Sequence, residues 1–249
     1  MPRHSRLCPA RPRRARRFPA LALPCAAALM AATPSLAETQ GWSVHAFGLK
    51  VGELRLTVSE NATSYTGSGG FRTTGLAGVL RRIRFSVSAR GRISQGSYRP
   101  ITYDGSIDTG RRVSETRLEY SGTLPVKVAG AQDPATPIPE ADLRGAHDPM
   151  TLMWQVLQDQ DAKTLCQLSQ TQYDGTRLVR ITLTSRSNDG DSVTCSGTYD
   201  RIGGYSAEEL AEMKTSPISV TYRNTGATWR ATQLRVKTRH GSATLYRQD

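Results

Sequence analysis

The chain has 249 residues and a formal net charge of +12, with 33 lysines and arginines against 21 aspartates and glutamates. Seven of the arginines, and no acidic residue, lie in the first 37 residues. Without that segment 212 residues remain, with a net charge of +5, so the high overall charge is weak support for a nucleic-acid partner. A length of 212 is enough for one β-rich domain with a full hydrophobic core.

The N-terminal 37 residues have the three parts of a secretory signal peptide. The basic region is followed by the apolar run FPALALPCAAALMAA at 18–32, which is too short to span a bilayer. Small residues at Ser35 and Ala37 come next, as they do before a cleavage site. This order predicts cleavage between Ala37 and Glu38, export to the periplasm, and a mature chain at 38–249 without a transmembrane segment.

Two other interpretations of this segment fit its residues less well. A lipidated Cys25 would need a small residue before it, and Pro24 stands there. A twin-arginine signal at 16–17 would need a bulky apolar pair shortly afterwards, where Pro19 stands. We therefore expect ordinary secretion, followed by one β-rich domain.

Apolar and polar side chains alternate along most of the chain after residue 37. In RRIRFSVSARGRI at 81–93, apolar residues fall on one face and arginines on the other. The same period of two recurs at 53–58, 179–184, 218–222 and 234–237. Such runs are typical of strands with one buried face, and we expect roughly nine to eleven of them.

Two Asp-Gly pairs, at 174–175 and 189–190, mark tight turns between neighbouring strands. Asp-Gly between alternating segments is the strongest short-range hairpin signal, so the sheet is predicted to be antiparallel. The stretch 125–149 holds five prolines and shows no periodicity, which predicts a long loop.

Three helices are expected between the strands. DPMTLMWQVLQ at 148–158 has Asp148 at the N-cap and Pro149 at the first helical position. Its apolar residues cover most of its circumference, which predicts a buried helix. SAEELAEMK at 206–214 begins with a capping box, and TGLAGVLRR at 74–82 is expected to form a short helix.

Together these elements predict a mainly β fold. A helix that is apolar on most sides needs apolar surface around it, and the inner face of a strongly curved sheet supplies that surface. We therefore expect a single antiparallel sheet, a half-barrel or open barrel, wrapped around one or more helices.

Loss of the leader would leave two cysteines, Cys166 and Cys195, which are expected to form a disulfide in an oxidising compartment. The two predicted hairpin turns would place these cysteines on either side of one strand, about 10 Å apart and facing opposite sides. A disulfide cannot span that distance. Either Cys166 precedes the regular strand, or a bulge shifts the register.

No arrangement of residues in the sequence predicts an enzyme, a metal site or a cofactor. The three histidines after the leader are not spaced with each other, with cysteines or with carboxylates as metal ligands are. They are His45, His147 and His240. His147 stands one residue before the helix cap, where a loop or capping role is expected.

Charge is distributed unevenly. Residues 72–117 hold ten arginines and three acidic residues, whereas 131–161 hold six acidic residues and one arginine. The arginines predicted to share one strand face are Arg82, Arg84, Arg90 and Arg92. Such a face could meet anionic lipid headgroups, lipopolysaccharide or an acidic protein, or it could simply be a solvated surface that prevents strand pairing.

Several motifs resemble the family catalogued as domain of unknown function 3108. They are GLKVGELRL (48–56), TTGLAGVLRRIRFSVSARGRI (73–93), YRP (98–100), DPMTLM (148–153), YDG (173–175) and IGGY (202–205). Members of that family look like secreted envelope proteins of Gram-negative bacteria, so the resemblance implies export and a single domain but no catalytic residues. By looser analogy, the expected sheet is similar to lipoprotein-carrier folds.

Two functional hypotheses follow. The first is a non-enzymatic periplasmic protein that binds a lipid, a lipoprotein or another apolar or amphipathic envelope component. The residues expected to line its apolar wall are Met150, Met153, Trp154 and Leu157. The alternative is an interaction module that docks an acidic envelope protein through the arginine face.

Overall fold

The computed structural model describes residues 36–75, 78, 82–111, 113–238 and 241–248. Most of the predicted leader, most of the expected helix at 74–82, and His240 lie outside these residues.

Within the described residues, strands dominate. The strands are β1 (Leu36–Ala46), β2 (Leu49–Glu60), β3 (Ser64–Thr73), β4 (Arg84–Ser94), β5 (Ser97–Asp108), β6 (Val113–Ser121), β7 (Leu124–Ala129), β8 (Leu168–Tyr173), β9 (Leu178–Asp189), β10 (Ser192–Gly203), β11 (Thr215–Asn224), β12 (Trp229–Thr238) and β13 (Gly241–Arg247). The helices are α1 (Glu140–Leu143), α2 (Pro149–Leu157) and α3 (Ala207–Glu212). The described residues thus hold thirteen strands, more than expected. One reason is β7, which occupies part of the stretch 125–149 that was predicted to be loop throughout, and α1 lies in the same stretch.

The strands form one antiparallel sheet, as predicted. Its order is β7-β6-β5-β4-β3-β2-β1-β13-β12-β11-β10-β9-β8. The sheet curves until it is nearly closed into a barrel, and the two end strands β7 and β8 flank a seam. This confirms the expected curved antiparallel sheet.

Period-two patterning explains which strand face is buried. In β2 the side chains of Leu54, Leu56 and Val58 are buried inside the barrel, whereas Arg55 between them is exposed. In β4 the arginines are likewise exposed on the outer face, as the pattern of 81–93 predicted.

Helix α2 lies inside the curved sheet and confirms the helix predicted at 148–158. Asp148 caps it, because its carboxylate accepts hydrogen bonds from the Thr151 backbone N–H at 2.8 Å and the Thr151 hydroxyl at 2.7 Å. Pro149 occupies the first turn, where a missing N–H costs nothing. Most of the helix is buried, consistent with its all-round apolar surface.

Two glycines of β3 make room for this helix. A Cβ atom at Gly67 would lie 2.8 Å from Cε of Met150, and one at Gly69 would lie 3.1 Å from Cε of Met153. Real Cβ atoms essentially never approach as closely as the first of these distances. The methionines therefore fill space that side chains on β3 would otherwise occupy.

The chain just before α2 connects both sides of the seam. The backbone N–H of Gly145 donates to the Thr123 carbonyl, in the turn between β6 and β7, at 2.8 Å. On the other side, the N–H of His147 donates to the Thr171 carbonyl of β8 at 2.9 Å, and Tyr173 returns a bond to His147 at 2.8 Å. These bonds satisfy part of the exposed edge of β8 and anchor α2 at the seam.

The predicted disulfide between Cys166 and Cys195 is present, with the two Cα atoms 5.0 Å apart. Cys166 lies before β8 begins, which is the first of the two alternatives left open by the sequence. The expected register was wrong, because Cys195 pairs with Arg186 rather than with residue 184. A bulge follows at Ser196–Gly197, so β10 changes register directly after the cysteine.

Helix α3 confirms the predicted capping box. The Ser206 hydroxyl accepts from the Glu209 N–H at 3.2 Å, and the Glu209 carboxylate accepts from the Ser206 N–H at 3.0 Å. None of the helices in the described part of the chain is long and apolar enough to cross a membrane.

Candidate functional site

A cavity of about 560 Å³ opens at one end of the barrel. It lies between the inner faces of β4, β5 and β6, the first turns of α2, and the turn between β8 and β9. We call this end, which also carries the β1–β2 and β5–β6 turns, the mouth end. The opposite end, with the β2–β3, β4–β5 and β9–β10 turns, is the far end.

The lining of the cavity is mixed. Its apolar residues include Phe85 and Val87 of β4, Ile107 of β5, and Met153 of α2, whereas Ser114 and Thr116 of β6 contribute polar groups. The Phe85 ring stacks on Phe71 of the neighbouring strand, with ring centroids 5.5 Å apart. Ile107 is 49% exposed, so the apolar wall continues to the mouth.

Polar groups stand at the mouth, where the β8–β9 turn lies. Asp174 is committed to that turn, since its Oδ1 accepts hydrogen bonds from the N–H groups of Thr176 and Arg177 at 2.8 and 2.7 Å. Arg177 forms an ion pair with Glu209 at 2.6 Å and lies over the Tyr205 ring. The arginine is nevertheless about half exposed and borders the cavity, so one cationic group lies next to the opening.

The structure separates the four residues predicted to line an apolar wall. Met153 borders the cavity, whereas Met150, Trp154 and Leu157 are buried in the packed core. The spacing of these four residues is that of a helix surrounded by protein on most sides. Only the side of α2 that carries Met153 faces the cavity.

A buried carboxylate lies beneath the helix start. Asp148 is fully inaccessible to solvent, and Thr151, which donates to it, is also hydrogen-bonded to the Tyr65 hydroxyl at 2.7 Å. Burial raises the pKa of Asp148 from 3.8 to about 6, although the hydrogen bonds from Thr151 oppose that shift. No cation pairs with Asp148 among the ion pairs of the described residues.

A second polar cluster closes the interior toward the far end. Glu60 accepts a hydrogen bond from the Trp154 indole N–H at 2.5 Å, and its carboxylate lies 2.7 Å from the Tyr98 hydroxyl. Gln158 approaches the same hydroxyl at 2.8 Å. Burial, followed by the Glu60 carboxylate, raises the pKa of Tyr98, so its hydroxyl stays protonated. The cluster positions α2, and Glu60, Tyr98 and Gln158 also border a second cavity of about 540 Å³.

His147 is held inside the seam. Its Nδ1 lies 2.7 Å from Oε1 of Gln155, in the second turn of α2. Burial lowers the pKa of this imidazole, so the neutral form is favoured. Its contacts therefore fix the segment that precedes the helix.

The structure exposes the arginines that were predicted to share one strand face. Arg84, Arg90 and Arg92 project outward from β4, and Arg82 precedes that strand and lies 3.8 Å from Asp108. Register places Arg84 directly opposite Arg72 and Arg92 opposite Arg99, and like charges in such pairs repel. The described residues hold no cluster of three or more histidines, cysteines or carboxylates that could bind a metal.

The sequence did not reveal the other residues of the cavity. Phe85 and Val87 lie in the strand predicted at 81–93, but alternation cannot distinguish an inward side chain in contact with another from one that faces a void. Ile107 lay in no segment singled out as a strand, and Arg177 follows the predicted turn at 174–175 by two residues. The position of the cavity depends on the volumes of side chains from five parts of the fold, which are β4, β5, β6, α2 and the β8–β9 turn.

Comparison with known proteins assigns a family. A family model described as "Protein of unknown function (DUF3108)" matches residues 41–202. No curated protein and no solved structure matches the chain.

Proposed function

The chain belongs to the DUF3108 family of proteins of unknown function, and this membership assigns no activity. We propose from the geometry that the protein binds one apolar or amphipathic envelope molecule, such as a lipid, in the cavity at the mouth end. The cavity itself is the observation that carries this proposal. Its volume of about 560 Å³ lies within the usual range for small-molecule sites, and such sites combine apolar walls with a few polar groups.

The chemistry of the lining indicates how such a ligand would lie. An acyl chain fits against Phe85, Val87 and Met153, and a flexible methionine adapts to chains of different shape. A polar head would remain at the mouth beside Arg177 and Gln172. Each buried methylene contributes about 0.8 kcal/mol, so affinity should rise about fourfold per added methylene until the cavity is full.

A matched pair of substitutions tests the cavity. Val87→Phe places a ring in the cavity and is expected to weaken binding of saturated fatty acids at least tenfold, an order-of-magnitude figure for displaced apolar contacts. Val126→Phe makes the same change on β7, at a side chain that is 42% exposed and does not line the cavity, and should leave binding unchanged. Isothermal titration calorimetry across a series of chain lengths measures both.

Two results would contradict the proposal. One is wild-type protein that binds no fatty acid and carries no extractable lipid when it is purified without detergent. The other is equal binding by the Val87→Phe and Val126→Phe variants, because the ligand would then occupy a different place.

We further propose that the protein acts in the periplasm after removal of its leader. The proposal rests on the signal-like composition of 1–37 and on the disulfide, which persists in oxidising compartments. Intact-mass measurement of protein from a periplasmic extract should give a chain that begins at Glu38. A full-length chain recovered only from the cytoplasm would refute it.

A further inference from the structure

We propose that the mouth end of the barrel docks on an anionic phospholipid surface, with the β1–β2 turn inserted among the headgroups. This goes beyond ligand binding, because it concerns the outer rim rather than the cavity. Three observations carry it: exposed apolar side chains at this end, an unfavourable residue at one turn, and excess positive charge beside it.

The three most exposed large apolar side chains all lie at the mouth end, although Val126 and Val128 on edge strand β7 are also 42% and 49% exposed. We call Phe47, Leu49, Ile107 and Val113 the mouth rim. They are 76%, 71%, 49% and 62% exposed, which is unusual for such large apolar residues. Turns at the far end instead carry small or polar residues. They are 61–63 (NAT), 95–96 (QG), 122–123 (GT), 190–191 (GD) and 225–228 (TGAT).

Phe47 occupies a position that suits a different residue. It and Gly48 form the two-residue turn between β1 and β2, with φ angles of +52° and +79°. A hairpin turn with two positive φ angles favours asparagine, aspartate or glycine first, and a bulky residue there is strained. The same turn geometry recurs at the far end in Gln95 and Gly96, with φ angles of +51° and +73°. The turn therefore does not require an aromatic ring.

The ring of Phe47 is both strained and exposed to water. It lies against the backbone of Gly241 on one side and remains largely accessible. Both properties cost folding stability and contribute nothing to the core. Insertion into the interface of a bilayer would bury such a ring, as it does for apolar residues of membrane-surface proteins.

Positive charge accompanies the mouth rim. We call Lys50, Arg72, Arg82, Arg84 and Arg111 the basic flank, all of which lie in or next to the mouth-end portions of β2 to β6. The acidic residues among them, Glu53, Asp108 and Glu115, leave a net charge of +2 in this sector. Basic residues around an apolar insertion attract anionic lipids, which selects a membrane surface as the occupant.

A vesicle-binding assay with matched variants tests the inference. All variants carry the same N-terminus, so any contribution of residues 1–35 is common to them. Phe47→Asn should reduce binding to phosphatidylglycerol-containing vesicles about tenfold, because the inserted ring is lost. Its melting temperature should not fall, since asparagine tolerates positive φ. Gln95→Asn makes the equivalent change at the far end and should leave vesicle binding unchanged.

Charge is tested in the same assay. Arg84→Gln should weaken binding to phosphatidylglycerol-containing vesicles about fivefold, whereas Arg92→Gln, at the far-end part of the same strand, should have little effect. Binding should also fall as salt is raised and be weak on pure phosphatidylcholine.

The outcomes that would overturn the inference differ from those for the cavity. Vesicle binding that is unchanged in Phe47→Asn would refute it, as would self-association that depends on Phe47 in sedimentation experiments. Vesicle binding that requires Arg84 but not Phe47 would also refute it, because the contact would then be electrostatic without insertion of the β1–β2 turn. The Val87→Phe variant should bind vesicles normally, so loss of ligand binding and loss of docking can be told apart.

Discussion

Removal of the disulfide is expected to lower the free energy of unfolding by about 3 to 4 kcal/mol. Cys166 and Cys195 are separated by 29 residues, and closing a loop of that length removes this much chain entropy from the unfolded state. For a domain of this size the loss corresponds to a fall of roughly 10 °C in melting temperature.

The place of the disulfide in the fold adds a local expectation. Strand β8 ends the sheet and pairs with β9 on one side, while the seam lies on the other. The disulfide ties the chain just before β8 to β10, across β9. Its loss should therefore raise amide exchange in β8 and in the connection from α2 before it does so in the central strands.

Urea unfolding of wild type and of the Cys166→Ser/Cys195→Ser variant measures the effect. Reductant should destabilise the wild type to the level of the double variant and leave that variant unchanged. A difference below about 1 kcal/mol, with full amide protection of β8, would show that the sheet alone holds this edge.

Local signals in the sequence predicted much of the fold. The alternation in β2 and β4 and the N-cap of α2 depend on residues within a few positions of each other, and the structure confirms them. Curvature followed from one non-local argument, that a helix apolar on most sides must be surrounded. That argument was sufficient because few arrangements of one sheet can surround a helix.

Register could not be predicted to the residue. The loop between β9 and β10 is Gly190–Asp191 rather than the expected 189–190, because Asp189 and Ser192 still pair. The β8–β9 turn is four residues long, since the Asp174 side chain bonds the N–H groups of Thr176 and Arg177. Each difference moves the pairing by two positions, and these small changes determine where Cys166 must lie.

The cavity depends on residues that carry no chemical signal. Gly67 and Gly69 look like interruptions of a strand pattern, yet they set how deeply the methionines of α2 enter the barrel. Phe47 is similar, since a Phe-Gly turn becomes informative only when its φ angles and exposure are known. Volume and backbone conformation are properties of the assembled chain.

The second large effect concerns pH and the buried carboxylate of Asp148. Its pKa is about 6 in the folded protein and 3.8 when unperturbed, so the folded state binds the proton more tightly. Stability should therefore be greatest below pH 4 as far as this group is concerned, fall as pH rises from 4 to 6, and stay reduced above that. The pKa difference corresponds to about 3 kcal/mol.

Other titratable groups close to Asp148 do not reproduce this profile. Burial, and after it the charge of the Asp148 carboxylate, raises the pKa of Tyr65, Tyr103 and Tyr120, so these hydroxyls stay protonated throughout the range. His147 has the opposite sign, because burial lowers its pKa. Because the unfolded state binds this proton more tightly, protonation of His147 lowers the stability of the folded protein as pH falls below 6.5, the unperturbed pKa.

Asp148→Asn separates the two contributions. Asparagine still caps α2 through its side-chain oxygen but cannot ionise, so the stability difference between variant and wild type should grow by about 2.5 kcal/mol between pH 4 and pH 7.5, in favour of the variant. Subtracting the free energy of unfolding of the wild type from that of the variant cancels the contribution of groups that titrate alike in both proteins. His147→Gln, introduced into both the wild type and the variant, removes the titration of the remaining neighbour. Asp133→Asn makes the same substitution at a side chain that is 95% exposed and serves as the control for burial. If the stability difference between Asp148→Asn and wild type did not vary with pH, the hydrogen bonds from Thr151 would fully offset the burial of the charge.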